Sequence, residues 1–539
     1  MKKIIFLLLL NLLLFSCARV GAPNGGTRDS LAPKFLGSNI DTTRLNVSRT
    51  VKELRLDFDE YVMLKDFNKN FNVSPPIKKI KKVIPSNLAN KYVLIQWEDT
   101  LQANTTYNFN FGNAIVDNNE SNPLPYFNFA FSTGDKIDDL FVSGTVKDAM
   151  TLIKENQTAK DNKMVVGLYK AGENLDYKQK PDYITKVDEE NYFELNFLPK
   201  GEFVIIAFDD ENQNSVYDAG KEKVSFLKEK ITLDSTSVRG LKLKLYPSKK
   251  VVKYKESKAI NGGLLMTFEG NPETVEVKSL SEELKDFKVT HAKRSDSVNI
   301  WFNAEKSNLG GTVSKQVKLS YFTPTISDTI SVSYKAVKDE FKLSNEAGNL
   351  IAPENNFVIN TSLPIENLKT SSWKLESDSI AQDFTAKISE KNPFKILVNS
   401  SFKPTKKYVL TIPKETVSSY YSSNDKSFQF QFEIDKPENY GSFTAVIKNK
   451  PTAKFWVELT NEKGEILYSQ FTNASEVSFK NLKPATYIAR IRVDNNGNGF
   501  WDEADFAQNI AAEDVYIFEK EINVRPLWEI KEDWELTNN

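Results

Sequence analysis

The chain has 539 residues, 40% apolar and 12% aromatic, with 71 basic and 72 acidic side chains. That length allows several domains, and the near-zero net charge excludes a broad nucleic-acid-binding surface. A single Cys and a single His exclude a disulfide framework and a Cys/His zinc site.

The first predicted element is a leader. Lys2 and Lys3 precede an apolar run, Ile4 to Phe15, interrupted only by Asn11. The run is too short to span a bilayer and has the layout of a secretory signal peptide. Leu14-Phe15-Ser16-Cys17 resembles a bacterial lipobox, although Phe15 departs from its strictest form. The resemblance implies cleavage after residue 16 and a lipid on Cys17, hence an anchored envelope protein with a membrane as its first partner. Residues 17–30 read as a flexible tether, rich in Gly and Pro. The tether lacks the acidic stretch that surface-exported Bacteroidota lipoproteins carry. The expected location is therefore the outer membrane, with the periplasmic face favoured over the cell surface.

From residue 31 onward short alternating runs replace any helical period. Leu54-Arg55-Leu56-Asp57-Phe58 and Phe428-Gln429-Phe430-Gln431-Phe432 are examples. Asn, Gly, Pro and Asp separate them, and the predicted fold is all-β, a tandem array of about five β sandwiches in a row. The expected modules are 31–137, 138–247, 248–347, 348–438 and 439–539, with residues after 527 as a short cap or tail.

Two kinds of module recur. In 31–137, Asp29-Ser30-Leu31-Ala32-Pro33, Phe58-Asp59-Glu60-Tyr61-Val62, Ser74-Pro75-Pro76, Tyr107 and Phe131-Ser132-Thr133-Gly134 resemble bacterial Ig-like domains of S-layer and envelope proteins. Residues 348–438 repeat the pattern loosely, with Phe402 to Tyr408 in place of Leu101 to Tyr107. The second repeat aligns 198–218 with 482–502 without a gap. Phe141 to Asp148 and Val165 to Tyr169 resemble the prealbumin-like sandwiches also found as carboxypeptidase regulatory-like domains. That resemblance implies spacer or binding modules. Residues 248–347 carry no family resemblance.

The strongest chemical motif closes the second repeat. Asp494, Asn496, Asn498, Phe500 (through its carbonyl), Asp502 and Asp505 have the spacing of a calcium loop, with structural Ca2+ as the one candidate cofactor. An Asx-rich turn held by its own side chains explains the same residues. The first repeat keeps Asp210, Asn212, Asn214 and Asp218, but has Ser215 for the glycine and Lys221 at the twelfth position.

Other candidates read as structural. Asp57, Asp59, Glu60 and Asp117 suit a solvated strand edge. His291 has no motif around it that would supply catalytic partners. The seven Trp residues suit core packing. The tripeptides at Asp29, Asp41, Asp99, Asp234, Asp296, Asp328 and Asp378 resemble the O-glycan acceptor motif of exported Bacteroidota proteins. They make Ser30, Thr42, Thr100, Ser235, Ser297, Thr329 and Ser379 candidate acceptors, where a turn into a strand gives the same pattern.

The functional expectation is a non-enzymatic envelope scaffold, an accessory of outer-membrane protein assembly or secretion, partnered by another envelope protein such as an outer-membrane barrel. Two rivals carry their own expectations. A glycan-binding lipoprotein needs exposed aromatics gathered on one face. A hydrolase hidden in 248–347 needs a deep pocket with converging carboxylates.

Overall fold

The computed structural model describes residues 29–152, 163–172, 175–337, 340–346 and 348–536. The leader, Cys17 and most of the tether lie outside the described residues. The chain divides into two compact units, residues to 140 with 196–199, and 141–195 with 200 onward. Strands dominate both, and the one α-helix among the described residues is the short Phe67–Asn70 segment.

The first unit is a sandwich. One sheet orders Phe35–Ser38, Glu53–Leu64, Asn90–Trp97 and Ile80–Ile84, with Ile115–Asp117 pairing the second of these; the other holds Asn72–Ser74, Thr106–Gly112 and Phe127–Ser132. Alternation explains the packing. Leu54, Leu56 and Phe58 point inward with Val93, Ile95 and Trp97, against Phe109, Phe111, Phe129 and Phe131. The Tyr107 hydroxyl accepts the Gln102 amide at 2.8 Å and fixes the corner before its strand.

Four sandwiches follow in the second unit. In the first, Tyr192–Leu198, Leu140–Asp148 and Val238–Leu245 form one sheet. The other runs Tyr183–Lys186, Met164–Lys170, Gly201–Asp209 and Val224–Phe226, with Ile231–Leu233 also on Gly201–Asp209. The last sandwich repeats this order strand for strand. Its sheets are Glu476–Leu482, Gly441–Lys448, Glu529–Glu535, and Ile466–Thr472, Phe455–Thr460, Ala485–Val493, Val515–Ile517 with Ile522–Val524. In both sandwiches the final strand pairs in parallel with the first.

Two boundaries differ from the sequence reading. Residues after 527 are no tail. Glu529–Glu535 is an integral strand on Gly441–Lys448, and Trp534 is buried against Phe518 at a ring distance of 5.3 Å. Its five charged residues masked the period-two pattern of Ile530, Glu532 and Trp534. The fourth module begins ahead of 348, because Leu343–Asn345 pairs with Phe357–Thr361 and Phe341 lies in the same core. The Tyr408 hydroxyl there accepts the Lys403 amide at 2.8 Å, the same corner that Tyr107 makes.

Residues 248–337 form a sandwich of a four-stranded sheet, Lys253–Ile260, Gly263–Glu269, Ser297–Trp301 and Lys288–His291, on a three-stranded one, Glu276–Ser279, Lys315–Phe322 and Ser327–Tyr334. Leu264, Met266, Val298, Ile300, Val317 and Leu319 fill it.

Candidate functional site

The two Asx loops follow equivalent central strands, Gly201–Asp209 and Ala485–Val493. Each begins with a buried aspartate whose carboxylate accepts two backbone amides. Asp210 takes Asn214 and Ser215, and Asp494 takes Asn498 and Gly499, all at 3.0 Å. Asn212 and Asn496 accept the same Asn214 and Asn498 amides. Their side-chain amides donate to Asp218 and Asp502, each at 2.5 Å. The turn needs two left-handed residues. Gly497 and Gly499 supply φ of 73° and 82°, whereas Gln213 and Ser215 adopt 59° and 61° at a steric cost that the hydrogen bonds offset. Loss of the glycine therefore leaves the loop geometry intact.

Each loop closes on a buried glutamate. Glu222 accepts the Glu211 amide at 3.1 Å and the Asp218 amide at 2.8 Å. Glu513 accepts those of Asn496 at 3.1 Å and Asp502 at 2.9 Å. Burial pushes Glu222 up to about 7 against the pull of these amides, and it pushes Glu513 and Asp210 upward as well. Asp502 goes the other way. Burial opposes its charge, but hydrogen bonds from Asn496, Arg294 and Asn498 outweigh that and hold it low.

This geometry rearranges the expected calcium set. Asp494, Asn496, Asn498 and Asp502 converge. Asp505 does not join them; it caps the short turn Phe506–Gln508, accepting the Gln508 amide at 3.2 Å. The Phe500 amide donates to Asn498 at 2.8 Å. A cation already sits on Asp502, since Arg294 Nη1 donates to it at 2.7 Å while Arg294 Nε donates to Glu273 at 2.5 Å. Among the described residues no group of three or more His, Cys, Asp or Glu is arranged to hold a metal ion. The loop's donors and acceptors satisfy one another, as an Asx turn requires.

What the sequence missed lies between Asp502 and Glu513. The first loop spans that interval with residues 219–221 and the second with residues 503–512. This longer segment is an arm that reaches the first repeat. The Phe506 ring is buried among Tyr177, Phe226 and Tyr217, with centroids at 4.4, 5.1 and 5.8 Å. Ala504 exchanges backbone hydrogen bonds with the module linker, donating to Pro247 at 3.1 Å and accepting from Lys249 at 2.8 Å. Ser248, also buried, donates to the Glu222 carbonyl at 2.6 Å and accepts the Gly220 amide at 2.9 Å. The second unit is thus not a simple row, because its last sandwich returns to its first. A gap placed after Asp502 would have laid Glu513 on Glu222 and exposed the arm as an insertion.

The remaining candidates are structural in their contacts. Asp117 is buried and its carboxylate accepts the amides of Asn119, Glu120, Ser121 and Asn122. Asp59 accepts the Lys34 amide, and Asp57 pairs with Arg55. Burial, then the charges of Asp117, Asp59 and Asp29, raises Glu60. His291 Nε2 bonds the Ser295 carbonyl at 3.0 Å within its turn. Six of the seven proposed acceptor hydroxyls are exposed; Ser297 is half-buried and donates to Asp296 at 2.7 Å. Asp29, Asp41 and Asp234 each accept the amide two residues on, the turn that explains the tripeptide.

The rivals find less. An open depression of about 550 Å³ in the third sandwich is lined by Glu276, Lys278, Tyr321, Phe322, Asp328 and neighbouring Ser and Thr residues. Trp97, Trp301, Trp373 and Trp534 are buried; of the most exposed aromatics, Tyr61 and Tyr126 lie in the first module, Phe322 in the third, and Phe471 and Trp528 in the last. The rings of Trp456 and Phe471 stack on each other, with Lys454 over Phe471 and Arg492 over Trp456.

Residues 29–133 match the profile of the bacterial Ig-like domain family. No curated protein matches the chain. Solved structures resemble it distantly. An S-layer protein, SbsC, is 11% identical over 92% of this chain and 67% of its own, with a TM-score of 0.15. BcpA, the major pilin subunit of Bacillus cereus, is 11% identical over 74% and 99%, with a TM-score of 0.13. The Bacteroides ovatus mixed-linkage glucan utilization protein SGBP-B, solved with a heptasaccharide, is 9% identical over 72% and 97%, with a TM-score of 0.20.

Proposed function

We propose that this chain is a non-catalytic, lipid-anchored envelope scaffold, held at the outer membrane through Cys17. In this reading it serves an outer-membrane assembly or secretion complex by binding another envelope protein. The supporting observation is the joint between the repeats. The polar cluster of the second Asx loop is committed to backbone amides and to Arg294, and the arm beside it fastens one sandwich to another. Such chemistry sets the relative position of modules, which is what a scaffold needs. Free sheet edges then offer backbone hydrogen bonds to partners.

Capture of the tagged chain from native membranes in mild detergent, followed by mass spectrometry, tests the reading. Recovery of a barrel protein in fixed stoichiometry is expected. Recovery of no protein, with retention on a polysaccharide column, would replace it with a glycan-binding role. The anchor has its own test. Radiolabelled palmitate should label the chain and should not label Cys17→Ala.

A further inference from the structure

The strand Ile466–Thr472 is the outermost of its sheet, paired on one side with Phe455–Thr460 and on the other with no strand among the described residues. Its sequence, Ile-Leu-Tyr-Ser-Gln-Phe-Thr, holds no charge and no proline. Ile466, Leu467 and Phe471 are 45%, 49% and 44% exposed. Edge strands are normally protected by charge. Two other edges of the second unit follow that rule, Lys253–Ile260 with three lysines and a glutamate and Glu529–Glu535 with five charges.

We propose that Ile466–Thr472 is a self-association edge, which pairs antiparallel with the same strand of a second copy about a two-fold axis at Ser469. The occupant follows from the order of side chains. Symmetry at Ser469 sets Leu467 opposite the partner's Phe471 and Tyr468 opposite the partner's Gln470, with the two Ser469 residues facing each other. Apolar Leu467 meets apolar Phe471, and the strand's own side chains bring no like charges together. Two sheets then join into one continuous sheet across the axis. This inference goes beyond the scaffold reading and does not depend on it, since partner capture and self-association are measured separately.

Sedimentation of the purified full chain in detergent tests it, together with directed oxidation. A dimer is expected, and Ser469→Lys should weaken association by about tenfold or more, because two lysines would then face each other. With Cys17 changed to Ser, the thiol of Ser469→Cys becomes the only one in the chain. Oxidation should link two such copies, and should not link copies of Ser331→Cys, whose exposed serine lies on another edge strand, Ser327–Tyr334. A monomeric wild-type chain, a dimer that survives Ser469→Lys, or equal linking of both cysteine variants would overturn the proposal. So would a monomer whose edge captures a different protein, which would assign the strand to a foreign partner.

Discussion

At the scale of single residues, the buried carboxylates carry the chemistry that can be measured. Glu222 holds two loop amides and titrates near 7, well above an unfolded glutamate. Between these values the folded state binds the extra proton, so its contribution to stability is complete below the unfolded pKa and is lost as pH rises through about 7. The chain should therefore lose stability from pH 5 to 8 more steeply than Glu222→Gln does, as read from urea midpoints at each pH. Parallel curves would remove Glu222 as the source. Glu458 is fully buried between Arg490 and Arg492, at 2.7 and 2.5 Å. Glu458→Gln strips the charge that both guanidiniums face and should cost about 3–5 kcal/mol in chemical denaturation. The Asx loops make a negative prediction of the same kind. Because Arg294 and backbone amides already satisfy Asp502 and Asp494, removing calcium with a chelator should leave the melting temperature where it was. A drop on chelation that added calcium reverses would show that an ion belongs there.

At the scale of elements, the final strand decides whether the last sandwich folds. Truncation before Glu529 removes the partner of Gly441–Lys448 and uncovers the pocket of Trp534. The truncated chain should be proteolysed within 439–527 under conditions that spare the intact one; equal resistance would return residues 528–536 to the status of a tail. This strand also shows where the sequence was hard to read. Strands such as Leu54 to Phe58 were legible because one face is buried and the alternation is clean. Glu529–Glu535 was not, since five of its seven residues are charged and only Trp534 is fully covered. The Asp-x-Asn-x-Asn spacing revealed the loops, because side-chain turns are local. Glu513, Phe506 and Arg294 were invisible there, being brought in from outside the motif by tertiary packing. Asp505 misled for the same reason. Counting twelve positions assumes one loop length, and the arm breaks that count.

At the scale of the molecule, the joint between repeats governs how the second unit behaves. The arm buries Phe506 in the first repeat's aromatic pocket while Arg294, from the intervening sandwich, links Glu273 to Asp502. Replacing a buried phenylalanine with alanine costs about 3–5 kcal/mol, enough to open a contact of this size without unfolding either sandwich. A scaffold made this way holds its partner-binding edges in fixed relation. Hydrogen exchange followed by mass spectrometry on the wild-type chain and Phe506→Ala reads the joint directly. The expected result is slow exchange in 214–226 and 503–512 of the wild type and fast exchange of both segments together in the variant, with 263–301 unchanged. Unaltered protection of 214–226 in Phe506→Ala would contradict the joint.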